Sequence, residues 1–209
     1  MDRNSALYHH MENIMPRKAE VYRKTAETEI RVEIDLDGSG IQQVSTTIPF
    51  FDHMLILFTR HGLFNLCLAG KGDTTVDFHH LVEDVGICLG EAVKKALGDK
   101  SGISRYGAAV VPMDESLCSV ALDISGRPYL VFNAEYDQKK IGDFDPALLP
   151  EFFKSFSDHS GITLHINLMY GNSNHHKVEA IFKAFARALR KAVVIDPRIE
   201  GVLSTKETL

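Results

Sequence analysis

His79-His80-Leu81-Val82-Glu83 and His175-His176-Lys177-Val178-Glu179 are one cassette, His-His-x-Val-Glu, written twice 96 positions apart. Each copy opens an amphipathic stretch, and on an α-helix residues three or four positions apart share a face. Each glutamate can therefore meet one of its own histidines at a single ion. Adjacent histidines diverge by ~100° around the helix axis, too far to share that ion. A doubled histidine thus offers ligands to two separate metal centres, and the repeat offers them twice. A lone cassette reads more readily as a solvated helix N-terminus, where glutamate suits the helix dipole. Its recurrence in the same frame, with four of the chain's 10 histidines in the two doublets, points to a paired-metal protein.

The repeat extends outward from the cassettes. Val32-Glu33-Ile34-Asp35-Leu36-Asp37-Gly38 matches Val120-Ala121-Leu122-Asp123-Ile124-Ser125-Gly126, both alternating apolar and polar before a glycine turn. Each is followed by a helical segment, Phe50 to Gly62 with Met54, Leu57 and Phe58 on one face, and Pro150 to Gly161. A strand comes next, Phe64 to Leu68 in one half and Ile162 to Ile166 in the other. The cassette helix closes each half, with apolar stripes Val85, Leu89, Ala92, Ala96 and Ile181, Phe185, Ala188, Ala192, and with Gly98 as a stop.

This pattern predicts an internally duplicated α+β fold, two similar halves each with a mainly antiparallel sheet covered by helices, packed as a pseudo-twofold pair. The halves run over residues 16–100 and 101–209, joined near Gly98 to Arg105, with residues 1–15 a flexible extension that includes His9-His10. The Gly turn and the cassette lie 41 residues apart in the first half and 49 in the second. The difference sits in Gln138 to Leu149, which reads as a surface loop.

Composition narrows the function. Hydrophobic residues are 44% and charged residues 24%, ordinary for a globular protein. No apolar run approaches the ~18 residues of a membrane span, and the first twenty residues lack a signal peptide's apolar segment, so a cytoplasmic location is expected. A net charge of −5 without any Lys/Arg block makes nucleic acid an unsuitable partner. Cys67, Cys88 and Cys118 form no CxxC pair and read as reduced core residues, which leaves nitrogen and oxygen as the metal donors.

The first helix of each half adds a candidate ligand. His53 lies 26 residues before His79, and Glu151 lies 24 before His175, near the starts of corresponding helices. Helix-end polarity is the competing reading, weaker for His53 than for Glu151. His61 and His159 fit helix C-termini, and His165, alternating with Leu164 and Ile166, fits a strand surface.

These residues resemble the imidazoleglycerol-phosphate dehydratase family, over about residues 16 to 209. The resemblance rests on Phe51-Asp52-His53-Met54-Leu55, the cassette at 79 to 84, Ser125-Gly126-Arg127-Pro128, Thr163-Leu164-His165, and His175 through Arg190. It implies duplicated halves of the ribosomal protein S5 domain 2-like kind, assembly into 24-subunit particles with active sites between subunits, and a lyase using two Mn²⁺ per site. Its substrate would be imidazole glycerol phosphate and its product imidazole acetol phosphate, on the route to histidine.

By resemblance the metal ligands are His53, His79, His80, Glu83, Glu151, His175, His176 and Glu179. Glu151 stands where many members have histidine, and carboxylate also suits Mn²⁺. Ile56 and Leu57 stand where some members carry polar residues. The resemblance assigns the base to Glu20, which from the residues alone is a solvated strand position, and gives His53 and Glu179 catalytic roles. It assigns the substrate phosphate to Arg105, Arg127, Lys183, Ser204 and Lys206, whose donors suit phosphate oxygens. The hydrogen to be lost lies on a carbon with no carbonyl neighbour, so the imidazole must supply the electrons that expel the hydroxyl, and ions at its nitrogens favour this. Two rival readings share the motifs: a two-metal phosphohydrolase, usually richer in carboxylates, and a metal-assembled structural or storage particle, which has no use for Arg105 and Arg127.

Overall fold

A computed structural model describes residues 17–137, 139–206 and 208–209; the extension expected over residues 1–15, with His9-His10, lies outside the described residues. The first half runs β1 (Lys18–Lys24), β2 (Thr28–Asp35), β3 (Gln42–Ser45), α1 (Pro49–Gly62), β4 (Asn65–Gly72) and α2 (His79–Leu97). The second runs β5 (Tyr106–Met113), β6 (Ser116–Asp123), β7 (Tyr129–Asn133), α3 (Leu149–Ser160), β8 (Thr163–Tyr170) and α4 (Asn174–Ala192).

Each half forms its own four-stranded sheet with one topology, β1-β2-β4-β3 and β5-β6-β8-β7. Two antiparallel pairings and one parallel edge pairing recur in both. Along β2, Thr28, Ile30, Val32 and Ile34 turn inward while Arg31 and Glu33 face solvent, the period-2 alternation of a half-covered sheet. The short edge strands β3 and β7 carry too little alternation to be read from sequence; their parallel pairing with β4 and β8 defines them.

The helices exchange partners across the duplication. Helix α2 lies on β1, β2 and β4 but packs against α3 of the other half, and α4 lies on β5 and β6 but packs against α1. The layers are therefore sheet, helices, helices, sheet, around one shared core. Phenylalanines fill its centre: Phe58 stacks on Phe185 at 5.3 Å, and Phe51 meets Phe152 edge-on at 5.4 Å. Gly86 and Gly90 let α2 approach α3 closely; a Cβ there would stand 2.5 Å from the Phe152 carbonyl oxygen and 2.7 Å from that of Phe156. Cys88 and Cys118 are buried free thiols and Cys67 is a partly exposed one.

The register fixes which residues are duplicates. Left-handed residues end α1 at Leu63 and α3 at Gly161, so these helices correspond at an offset of 98, and His53 matches Glu151. Ile34 lies opposite Ala19 and Leu122 opposite Gly107, so the hairpins correspond at an offset of 88, and Glu27 matches Glu115.

One expectation needs correction. The segment from residue 139 to Leu149 is more than surface connection, because Phe144 is 1% exposed and stacks on Phe51 at 6.0 Å. Leaving an aromatic of that size in water costs about 2 kcal/mol or more, so the insertion folds inward.

Candidate active site

Ser173 caps α4, and the first turn that follows puts His175 and Glu179 on one face. Helix α1, packed on α4, brings His53 to the same point from the other half. Glu179 Oε1 lies 3.0 Å from His175 Nε2 and 3.1 Å from His53 Nε2. The three ligand atoms all fall within 4.8 Å of one another. Glu179 is only 7% exposed, and its second oxygen accepts from Lys183 Nζ at 2.6 Å. Burial pushes the Glu179 carboxyl up, but Lys183, His53 and His175 outweigh burial and hold it at about 2. Lys183, expected at the substrate phosphate, is thus engaged with the candidate metal ligand Glu179.

The first-half cassette repeats the pairing. Glu83 faces His79 at 3.6 Å, the same i,i+4 partnership as Glu179 with His175. The rings of His79 and His80 stand at 84° and those of His175 and His176 at 82°, so each doublet diverges as helix geometry requires. Glu151 sits exposed in the first turn of α3, and among the described residues it joins no three-residue cluster with His79 and Glu83.

The second histidine of each doublet meets carboxylates that sequence reasoning missed. His80 Nδ1 lies 3.1 and 3.3 Å from the Asp73 oxygens and 3.8 Å from Glu27 Oε2, and these residues offer three ligand atoms within 4.8 Å. His176 Nδ1 lies 2.6 Å from Glu115 Oε2, and its Nε2 is 3.6 Å from Asp114 Oδ2. Donating Nδ1–H to Asp73 raises the His80 pKa, and donating it to Glu115 raises that of His176. Glu27 lies in the bend between β1 and β2 and Glu115 in the turn between β5 and β6, with no motif of their own; only the approach of each hairpin to its cassette helix singles them out.

Glu20 lies elsewhere. It projects from the solvent face of β1, its side chain half exposed and paired with Arg31 Nε at 2.9 Å.

Four of the five candidate phosphate residues lie along one connected path. Arg105 forks onto Asp123 at 2.7 and 3.0 Å, and its remaining nitrogen donates to the Leu203 carbonyl at 2.7 Å. That bond, with Gly102 N donating to Gly201 O at 2.7 Å, ties down the tail carrying Ser204 and Lys206. The tail continues to Leu209, whose backbone lies against Gly126, beside Arg127 in the turn after β6. The Arg127 carbonyl accepts from Thr163 Oγ1 at 2.8 Å, which fixes that turn to β8.

The sequence model of imidazoleglycerol-phosphate dehydratase matches residues 46–189. Among relatives of that name, the one from Syntrophus aciditrophicus is 66% identical over 92% of this chain and 98% of its own length. The one from Citrifermentans bemidjiense is 60% identical over 93% and 100%. The crystal structure of the Staphylococcus aureus enzyme superposes with a TM-score of 0.78 at 39% identity, covering 86% of this chain and 99% of that one. The Pyrococcus furiosus structure gives 0.79 at 35% identity, covering 90% and 100%. The chain belongs to the imidazoleglycerol-phosphate dehydratase family, lyases that carry out a dehydration in histidine biosynthesis.

Proposed function

We propose that this chain dehydrates D-erythro-imidazole glycerol phosphate to imidazole acetol phosphate in the cytoplasm, with two Mn²⁺ per active site, as a 24-subunit assembly. The observation that carries this reading is the convergence of His53, His175 and Glu179, with the His79–Glu83 pair as its duplicate. Imidazole nitrogens and carboxylate oxygens are donors that suit Mn²⁺. His53, His175 and Glu179 would hold one ion; His79 and Glu83, joined by Glu151 as the duplicate of His53, would hold the other. His80 and His176 turn away from these groups and are available to ions held by adjoining subunits, which links metal binding to assembly. When bound, the ions supply Lewis acidity at the substrate imidazole.

The residues of the chain supply the proton transfer and the anchoring. Loss of water breaks the carbon–oxygen bond next to the imidazole and removes the proton of the adjacent carbon, and the resulting enol becomes the ketone. The base must lie beside the imidazole-binding residues. Glu27, at 3.8 Å from His80, meets that requirement, whereas Glu20 is engaged with Arg31 on the outer sheet face. Arg105, Arg127, Ser204 and Lys206 would hold the phosphate, and Lys183 would keep Glu179 charged.

The test is turnover of imidazole glycerol phosphate by chelator-stripped protein with and without Mn²⁺, while light scattering follows particle size. Restoration of both by Mn²⁺ is expected. A large particle that makes no imidazole acetol phosphate from fresh substrate would replace this reading with that of a structural particle.

A further inference from the structure

We propose that Glu115 is the positioning residue for His176, that Asp73 performs the same task for His80, and that this substitution of roles frees Glu27 for chemistry. The inference rests on the metal reading of the cassettes given above. Glu115 is held from both sides. Its Oε1 accepts from Ser173 N at 2.8 Å, Asn172 N at 3.1 Å and Ser116 Oγ at 3.1 Å, which leaves Oε2 aimed at His176 Nδ1 at 2.6 Å. A neutral imidazole facing that oxygen carries its proton on Nδ1 and its lone pair on Nε2, the form that binds a metal. Asp114, the other group facing the ring, is exposed and 3.6 Å from Nε2.

The duplicate hairpin in the first half has Glu27 at the position of Glu115, yet Glu27 Oε2 stops 3.8 Å from His80 Nδ1. Asp73, from the end of β4, takes the ring nitrogen at 3.1 Å. The second half has no counterpart of Asp73: the offset of 98 lands on Gly171, where a Cβ would stand 2.3 Å from Ser116 Oγ. The first half therefore places two carboxylates at its second histidine, one orienting and one spare. In the second half, among the described residues, Glu115 alone occupies Nδ1 of His176.

The asymmetry is testable with isosteric variants, reading Mn²⁺ binding to stripped protein by titration calorimetry. Glu115→Gln can keep the Oε1 contacts but presents an amide N–H to Nδ1, which forces the proton onto Nε2. One class of Mn²⁺ site should weaken ten- to hundredfold. Asp73→Asn should keep both classes within about threefold, because Glu27 can move onto His80, and should instead lose kcat as the base is drawn away. Wild-type affinity in Glu115→Gln would overturn the proposal, as would equal loss of Mn²⁺ in the two variants. The ring ¹⁵N shifts of His176 in stripped wild-type protein, at a pH where the ring is neutral, give a readout independent of folding in any variant. An Nδ1–H tautomer supports the proposal and an Nε2–H tautomer overturns it, whether or not the wild type takes up Mn²⁺; absence of Mn²⁺ uptake by the wild type would sink the metal reading instead.

Discussion

His53 and Glu179 lie 126 positions apart in the chain and 3.1 Å apart in the fold. They come from α1 of one half and α4 of the other, so this candidate metal-binding cluster forms only because the helices pack across the duplication. An isolated half would hold a cassette without the third candidate ligand.

Glu179 is the most constrained of the candidate ligands, and its amide should be the most damaging isosteric change among them. Glu179→Gln removes the charge shared by His53, His175 and Lys183 and leaves the Lys183 ammonium, whose side chain is 14% exposed, without its partner. We expect loss of one Mn²⁺ per site and turnover at least ~100-fold lower, with about 1–3 kcal/mol of destabilisation from the orphaned charge. Metal analysis and thermal melts of the variant check both.

Two glutamates compete for the role of base, and paired variants separate them. Glu27→Gln should lower kcat by roughly 10²–10⁴-fold with metal content unchanged. Glu20→Gln, which breaks only the exposed contact with Arg31, should keep turnover within a few-fold of wild type. The reverse outcome would return the base to β1.

Protons and Mn²⁺ should compete at His80 and His176. Both have pKa values raised by a carboxylate at Nδ1, so in stripped protein the charged rings add stability that is fully present below about pH 6.5 and is lost as pH rises through the raised values. Mn²⁺ requires the neutral rings, so its affinity should fall as pH drops through the same window, by up to about tenfold per unit for each histidine. Melting curves from pH 6 to 9 should therefore slope in opposite directions for these contributions in stripped and loaded protein.

Phe144 gives the segment before α3 its structure. Phe144→Ala should cost about 3–5 kcal/mol and loosen the packing of Phe51, the neighbour of His53 on α1. Chemical denaturation measures the first effect, and a weaker site at His53, seen by Mn²⁺ titration, the second.

Gly90 should not tolerate a side chain even though alanine favours helices. Gly90→Ala places a Cβ 2.7 Å from the Phe156 carbonyl oxygen, so the variant should lose more from steric overlap between α2 and α3 than the ~1 kcal/mol alanine gains in helix propensity. A lowered melting temperature with unchanged helix content in the native state is the expected result.

The sequence by itself determined the duplication, the α+β class, the cassette helices and the face on which Glu179 meets His175. These follow from short-range periodicity: two apolar stripes at helical spacing and two strands of alternating character repeat in order, and i,i+4 geometry is local. Only the tertiary structure decided that α1 pairs with α4 and α2 with α3, that Phe144 folds inward, and that Glu27, Asp73 and Glu115 stand at the second histidines. Each of these depends on which surfaces come together across tens of residues. A turn glutamate such as Glu27 carries no periodic signal, and an exposed strand glutamate such as Glu20 carries the same chemistry, so their difference arises from the sheet and helix they face in space.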